Sequence, residues 1–289
     1  LLIRLTDKTS GPLIIHDPYA PFARQIDGEF TVTLSDWYHD QAPGLLHYFL
    51  SKANEDDGGS EPIPDTTLMQ DTQNAKYPVQ TGKTYYVHVI NMGGFVGQYF
   101  SIDGHDMTIV EVDGNYVQPY KTSQIYLTVA QRIGVLITTK NNKNNNYGVM
   151  AQMDQDMFDH VPPGVVIDSA GFLVYDDKKP MPKITPIKTL NAPDDMKFVP
   201  WNRQGPLKVD HTIKMDFVLQ NQSNRNTAFI NGNSYIPQKV PTLYTALSVG
   251  KDATDPRVYG VNSNPYVLEY GKVYEIVLNN QDTGGHPWQ

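Results

Sequence analysis

FTVTL, residues Phe30 to Leu34, sets apolar side chains at every second position, with Phe30, Val32 and Leu34 on one face and Thr31 and Thr33 on the other. Successive side chains of an extended strand point to opposite faces, so this period of two predicts a strand with one buried and one solvated face. Working outward, the same period returns in Tyr85, Val87 and Val89, in Thr108, Val110 and Val112, in Ile125, Leu127 and Val129, and in Val135 with Ile137. Asp103-Gly104, Asp113-Gly114 and the polar tract from Asn141 to Asn146 separate these runs and carry turn chemistry. Little of the chain has the spacing of an amphipathic helix. The expected fold class is all-β, an antiparallel sandwich in place of βαβ units.

Beyond this first set of strands, over 24–176, the pattern fades. Pro180, Pro182, Pro186, Pro193, Pro200 and Pro206 punctuate the stretch from Asp176 to Pro206, which predicts an interdomain linker over 177–206 that sustains neither helix nor ladder. Strands are expected again at Thr212 to Leu219, Ala228 to Asn231, Tyr266 to Glu269 and Val273 to Leu278. They begin a second β-domain over 207–289 with too few strands to close its sheets. A length of 289 residues accommodates two domains at roughly 100–200 residues each.

Composition narrows the function. The 23 Lys and Arg are scattered and outnumbered by 31 Asp and Glu, for a net charge of −8, which excludes nucleic acid as a partner because phosphate binding needs a concentrated basic surface. No segment approaches the roughly 20 apolar residues that span a bilayer. Cysteine is absent, which removes disulfides, zinc-thiolate sites, thiol nucleophiles and a blue-copper thiolate from this chain. Asn221-Gln222-Ser223 is the one glycosylation sequon and points weakly to a secreted glycoprotein. The chain opens at Leu1 without an initiator Met and stops at Gln289 directly after a strand pattern; we read it as a fragment. The eight histidines form no H-x-H or H-x-x-x-H pair, and no nucleophile elbow, phosphate loop or dinucleotide fingerprint occurs. Read residue by residue, the chain leaves the reaction type open.

Six runs together are more specific. SDWYHD (Ser35 to Asp40), SEPIPD (Ser60 to Asp65), NMGGFVGQYF (Asn91 to Phe100), YFSIDGHDMTIVEVDG (Tyr99 to Gly114), TVAQRIGVLI (Thr128 to Ile137) and NNQDTGGHP (Asn279 to Pro287) occur in this order. They resemble the multicopper oxidases, and most closely the fungal iron-transport ferroxidases, over about residues 11–288. The resemblance implies cupredoxin-like Greek-key β-sandwich domains, one complete and one or two partial. On that reading 1–23 is a remnant of the first domain, with GPLIIHD at Gly11 to Asp17, 24–176 is the second, and 207–289 is part of the third.

The resemblance also implies a parent oxidoreductase that oxidises Fe(II) to Fe(III), reduces O2 to water, carries type 1, type 2 and type 3 copper, is secreted or anchored at the cell surface, and has an iron permease as partner. His286 takes the place of a type 1 copper histidine. Glu61, Asp159 and Asp282 stand where the ferroxidases place iron-binding acids, and Glu61 and Asp282 are implied to pass the electron towards type 1 copper. Iron suits oxygen ligands, and Asp282 is near enough in sequence to His286 to orient its imidazole. Leu1 to Ser10 lacks the family's W-Y-H-S-H motif, and the histidine-cysteine segment would lie past Gln289, so the copper set is not expected to be retained here and the activity of this fragment is left open. Thr227 stands where a tyrosine is expected. His105 and His39 are read as structural, and Met69, Met92, Met107, Met150 and Met153 as packing residues. Two alternatives remain: a laccase-like phenol oxidase, and a catalytically inactive, copper-free cupredoxin module.

Overall fold

The alternation around Phe30 forms strand β1 (Gly28–Trp37), in which Val32 and Leu34 have no exposed surface. Ten more strands follow in the first part of the chain: β2 (Thr66–Met69), β3 (Asn74–Pro78), β4 (Thr84–Asn91), β5 (Gln98–Ile102), β6 (Met107–Val112), β7 (Asn115–Thr122), β8 (Gln124–Leu127), β9 (Arg132–Thr138), β10 (Tyr147–Met153) and β11 (Asp168–Val174). In this computed structural model, which describes residues 11–222, 226–282, 284–286 and 288, they build two sheets. One is six-stranded in the order β2-β1-β4-β9-β6-β7, the other five-stranded in the order β3-β11-β10-β5-β8. Leu34, Val87 and Ile109 from the first sheet meet Phe100, Ile125 and Leu173 from the second in one buried core. The sequence features at Leu1 to Ser10, Ser223 of the sequon, Thr283, Pro287 and Gln289 lie outside the described residues.

The chain divides into two compact units, one made of the residues up to 46 together with 61–204, the other of 47–60 together with 205 onward. The sandwich belongs to the first. In the second, β12 (His211–Asn221) lies between β13 (Asn226–Ile230), antiparallel to it, and β14 (Tyr274–Asn280), parallel to it. Three short α-helices occur among the described residues, α1 (Ala42–Phe49), α2 (Lys52–Asp56) and α3 (Thr242–Ser248), besides single turns of 3-10 helix. Much of the apolar surface of the second unit is exposed, including Ile276 at 60% and Leu268 at 55%.

Three sequence expectations need correction. The sheets are mixed: β1·β4, β3·β11 and β12·β14 pair in parallel. A period of two is the same in parallel and antiparallel ladders, so alternation cannot distinguish a hairpin neighbour from a strand that has crossed over. The expected face Thr108, Val110, Val112 is broken by a bulge between Ile109 and Glu111. An extra residue there puts Val112 on the main-core face with Met107 and Ile109, while Val110 packs with Phe22 and Tyr86 on the other side. Tyr266 to Glu269 is not a strand; Val267 is 50% exposed, so the run alternates without a partner ladder to bury it. The proline-rich stretch forms no strand, and its later part lies against β7. Val117 bridges Pro200, Gln118 N donates to Val199 O at 2.8 Å, and Trp201 N donates to Tyr116 O at 2.8 Å. Phe198 packs edge-on to Tyr120. Proline cannot continue a ladder, but its neighbours pair with the outer edge of β7 and shield that edge from other strands.

Candidate functional site

His286 is held by the way the chain leaves β14. Past Asn280 the backbone turns sharply, with Asp282 N donating to Asn280 Oδ1 at 3.1 Å and Asn280 Nδ2 donating to Gly284 O at 2.8 Å. The turn brings His286 Nε2 to 2.8 Å from Asp282 Oδ2, and the same oxygen accepts Gly284 N at 3.0 Å. A Cβ at Gly284 would lie 3.0 Å from that oxygen, so glycine keeps the approach open. The carboxylate can only accept, which puts the imidazole proton on Nε2 and leaves the lone pair on Nδ1, the nitrogen with which a metal ion would be ligated. Phe217 of β12 supports the ring from beneath, edge to face at 4.7 Å, and Trp288 packs on the same phenyl at 5.0 Å. Both members of the pair are largely covered, at 28% and 23% side-chain exposure. Asp282 therefore orients His286, as its spacing implied; Phe217 sits on another strand and has no local sequence signal.

In the first unit, Glu61 and Asp159 are both exposed and lie on loops at one end of the sandwich. Glu61 precedes Pro62, whose carbonyl accepts Tyr38 Oη at 3.1 Å. Asp159 follows Phe158, whose ring stacks on Phe95 at 6.1 Å. Thr227 lies in β13 opposite Gln220 and offers a small hydroxyl at its position.

Two other histidines are accounted for by structure. His39 pairs with Asp65 at 3.1 Å on the surface. His105, 5% exposed, has Nδ1 2.8 Å from Asp103 O and Nε2 2.7 Å from Tyr175 Oη. The carbonyl only accepts, so Nδ1 carries the proton and Nε2 accepts from the tyrosine. Burial pushes this imidazole below its ordinary value of 6.5. The unfolded chain therefore takes up the proton first, and the stability contribution is complete above about pH 6.5 and lost as pH falls towards the folded pKa. Urea melts at pH 7.5 and 5.5 should show a fall in midpoint on acidification that is smaller in His105→Gln; an identical fall in both would contradict the assignment.

Among the described residues no group of three or more His, Asp or Glu side chains converges closely enough to hold a metal ion, and the chain has no cysteine. The residues present do not fit a complete copper site. His286 supplies one imidazole of the kind such a site uses. No described helix is long and apolar enough to cross a membrane.

Comparison with known proteins places these features. Multicopper oxidase sequence profiles match residues 28–177 and 235–288. The iron transport multicopper oxidase fetC of Epichloe festucae is 43% identical over 284 residues, 98% of this chain and 45% of that protein. The iron transport multicopper oxidase FET3 of Saccharomyces cerevisiae is 38% identical over 285 residues, 98% of this chain and 44% of that protein. The chain thus spans about half the length of the curated relatives it matches. The crystal structure of Fet3p, a multicopper oxidase that functions in iron import, superposes with a TM-score of 0.87 at 38% identity, covering 94% of this chain and 51% of that one. The cupredoxin-like, all-β fold expected from the motifs is therefore the fold found, copper is the cofactor of the group, and the chain belongs to the multicopper oxidase family.

Proposed function

We propose that this chain is the iron-handling part of a ferroxidase that oxidises Fe(II) to Fe(III) and reduces O2 to water in iron uptake at the cell surface. The observation that carries the reading is the contact of Asp282 Oδ2 with His286 Nε2 at 2.8 Å. It joins a hard oxygen donor, suited to iron, to an imidazole of the type that ligates copper. Glu61, Asp159 and Asp282 bind the iron. Their negative charge attracts Fe(II), and carboxylate oxygens favour Fe(III), so each bound ion gives up its electron more readily. Glu61 and Asp282 carry that electron away from iron, Asp282 through its hydrogen bond to His286. Four Fe(II) ions lose four electrons for each O2 that takes up four protons and becomes two waters.

The names of the relatives support iron as substrate, and a membrane permease that accepts Fe(III) is the partner this chemistry calls for. In this reading residues 1–23 end a first cupredoxin domain, 24–176 form the second and 207–289 belong to the third. The competing phenol oxidase reading has no acid-bearing loops to explain. In the copper-loaded full-length oxidase, kcat/KM for Fe(II) should exceed that for a simple phenol by at least about 100-fold, the discrimination expected of a site built on specific polar contacts. Equal values, or a preference for the phenol, would sink the ferroxidase assignment.

A further inference from the structure

Beneath the two acid-bearing loops of the first unit lies a buried carboxylate for which the reaction itself has no use. Asp36, near the end of β1, is 1% exposed. Its Oδ1 accepts Gly94 N at 2.8 Å, and its Oδ2 accepts Phe95 N at 2.8 Å and Val96 N at 3.1 Å. Three successive backbone donors turned onto one side chain fix the path of the 93–96 loop. Asn91, also buried, completes the cradle: its Nδ2 donates to Val96 O and Leu127 O, and its Oδ1 accepts Gly93 N. A Cβ at Gly93 would stand 2.9 Å from Asp36 Oδ2 and 3.0 Å from Asn91 Oδ1, so only glycine leaves room for the carboxylate.

From this loop, contacts run to Asp159. Phe95 stacks on Phe158, Gly97 N lies 3.2 Å from Met157 Sδ, and Asp154 N donates to Gly97 O at 2.9 Å. In the other direction β1 runs on from Asp36 to the residues that hold the Glu61 loop. Asp65 N donates to Trp37 O at 2.9 Å, Tyr38 Oη donates to Pro62 O, and His39 N donates to Asp65 Oδ2 at 2.7 Å. One buried side chain is thus tied to both segments that carry Glu61 and Asp159.

We infer that Asp36 is a positioning residue for the iron site: by gripping the 93–96 loop from the end of β1 it sets the Glu61 and Asp159 loops relative to each other. The inference rests on the iron reading of those two acids. Asp36→Asn is the informative change, because an amide nitrogen would face a backbone N–H where an oxygen accepts now, with nearly the same volume.

Hydrogen exchange on the chain itself reads the bracing directly. Asp36→Asn should accelerate amide exchange by at least about ten-fold in 93–97, 154–160 and 60–65 together, with β4 and β9 unchanged. Acceleration confined to 93–97 overturns the inference, since Asp36 would then hold only its own loop. Gly93→Ala, which presses on the same carboxylate, should give the same three-segment pattern, and it decides the matter if Asp36→Asn does not fold. In the copper-loaded full-length oxidase Asp36→Asn should raise KM for Fe(II) about ten-fold with kcat, and with oxidation of an aromatic amine, nearly unchanged. Unchanged KM, or parallel loss of both substrates, also overturns it. The iron reading fails separately, if Glu61→Ala leaves Fe(II) oxidation intact, whatever the exchange data say of Asp36.

Discussion

Glu61→Ala combined with Asp282→Ala, in the copper-loaded full-length oxidase, is expected to lower kcat/KM for Fe(II) by at least about 100-fold, or ~2.7 kcal/mol of transition-state stabilisation. On the proposed assignment the change removes two hard oxygen donors and two negative charges that iron would use. Fe(II) is then captured less well, and Fe(III) loses the ligands that favour its formation. Asp282→Ala also strips His286 Nε2 of its acceptor at 2.8 Å, so the ring loses its orientation along with the iron contact. Asp159→Ala, which is assigned to binding alone, should act mainly on KM. Oxidation of an aromatic amine, which needs no carboxylate ligands but does use His286, is the control: Glu61→Ala alone should change it by less than about two-fold, and the double variant should lower it less than it lowers iron oxidation. Oxygen uptake with each reductant measures both. If amine oxidation falls in step with iron oxidation, the damage lies outside iron binding and the carboxylates are not its ligands.

Phe100→Ala should be the most damaging single change to the sandwich, at about 3–5 kcal/mol. Phe100 has no exposed surface and lies on β5 between Ala151 of β10 and Ile125 of β8, all three in the main core. Because whole domains have only about 5–15 kcal/mol of stability, the loss is a large share of the total. Ile276→Ala, at a side chain 60% exposed in the second unit, should cost within about 0.5 kcal/mol. Urea unfolding of the three proteins tests both values. A midpoint for Phe100→Ala within error of the parent would mean that β5 does not cross the centre of the core.

How far the sequence reveals this structure depends on whether information is local. β1, β4, β8 and β9 could be read because alternate residues of each enter the main core, which the period of two records, although Thr33 and Ser35 on the expected solvated face of β1 prove buried as well. The β6 bulge could not, because one extra residue among Ile109, Val110 and Glu111 leaves no trace in a run of apolar and polar side chains. Prolines correctly announced the end of regular structure after Asp176, yet they carry no record of where the chain lies. Its position depends on Val199 and Trp201, which bond to β7 through backbone atoms that any residue has. At the candidate site, Asp282 and His286 could be matched because they are four residues apart in one turn. Phe217, Tyr38 and Asp36 act from other strands and become visible only once the strands are assembled.

The parallel pairing of β3 with β11 sets a timetable for synthesis. β3 has one neighbour in its sheet, and that neighbour begins at Asp168, 168 − 78 = 90 residues after Pro78. At about 5–20 residues per second, β3 waits on the order of 5–20 s on the ribosome before its partner exists. During that interval Ala75 and Tyr77, buried in the finished unit, have no sheet to enter, while Lys76 and Pro78 occupy the alternate positions. A charge and a missing N–H are the features that discourage a lone strand from pairing with the wrong neighbour. The outward face of β3, which contributes nothing to the core, protects the nascent chain until the core can form.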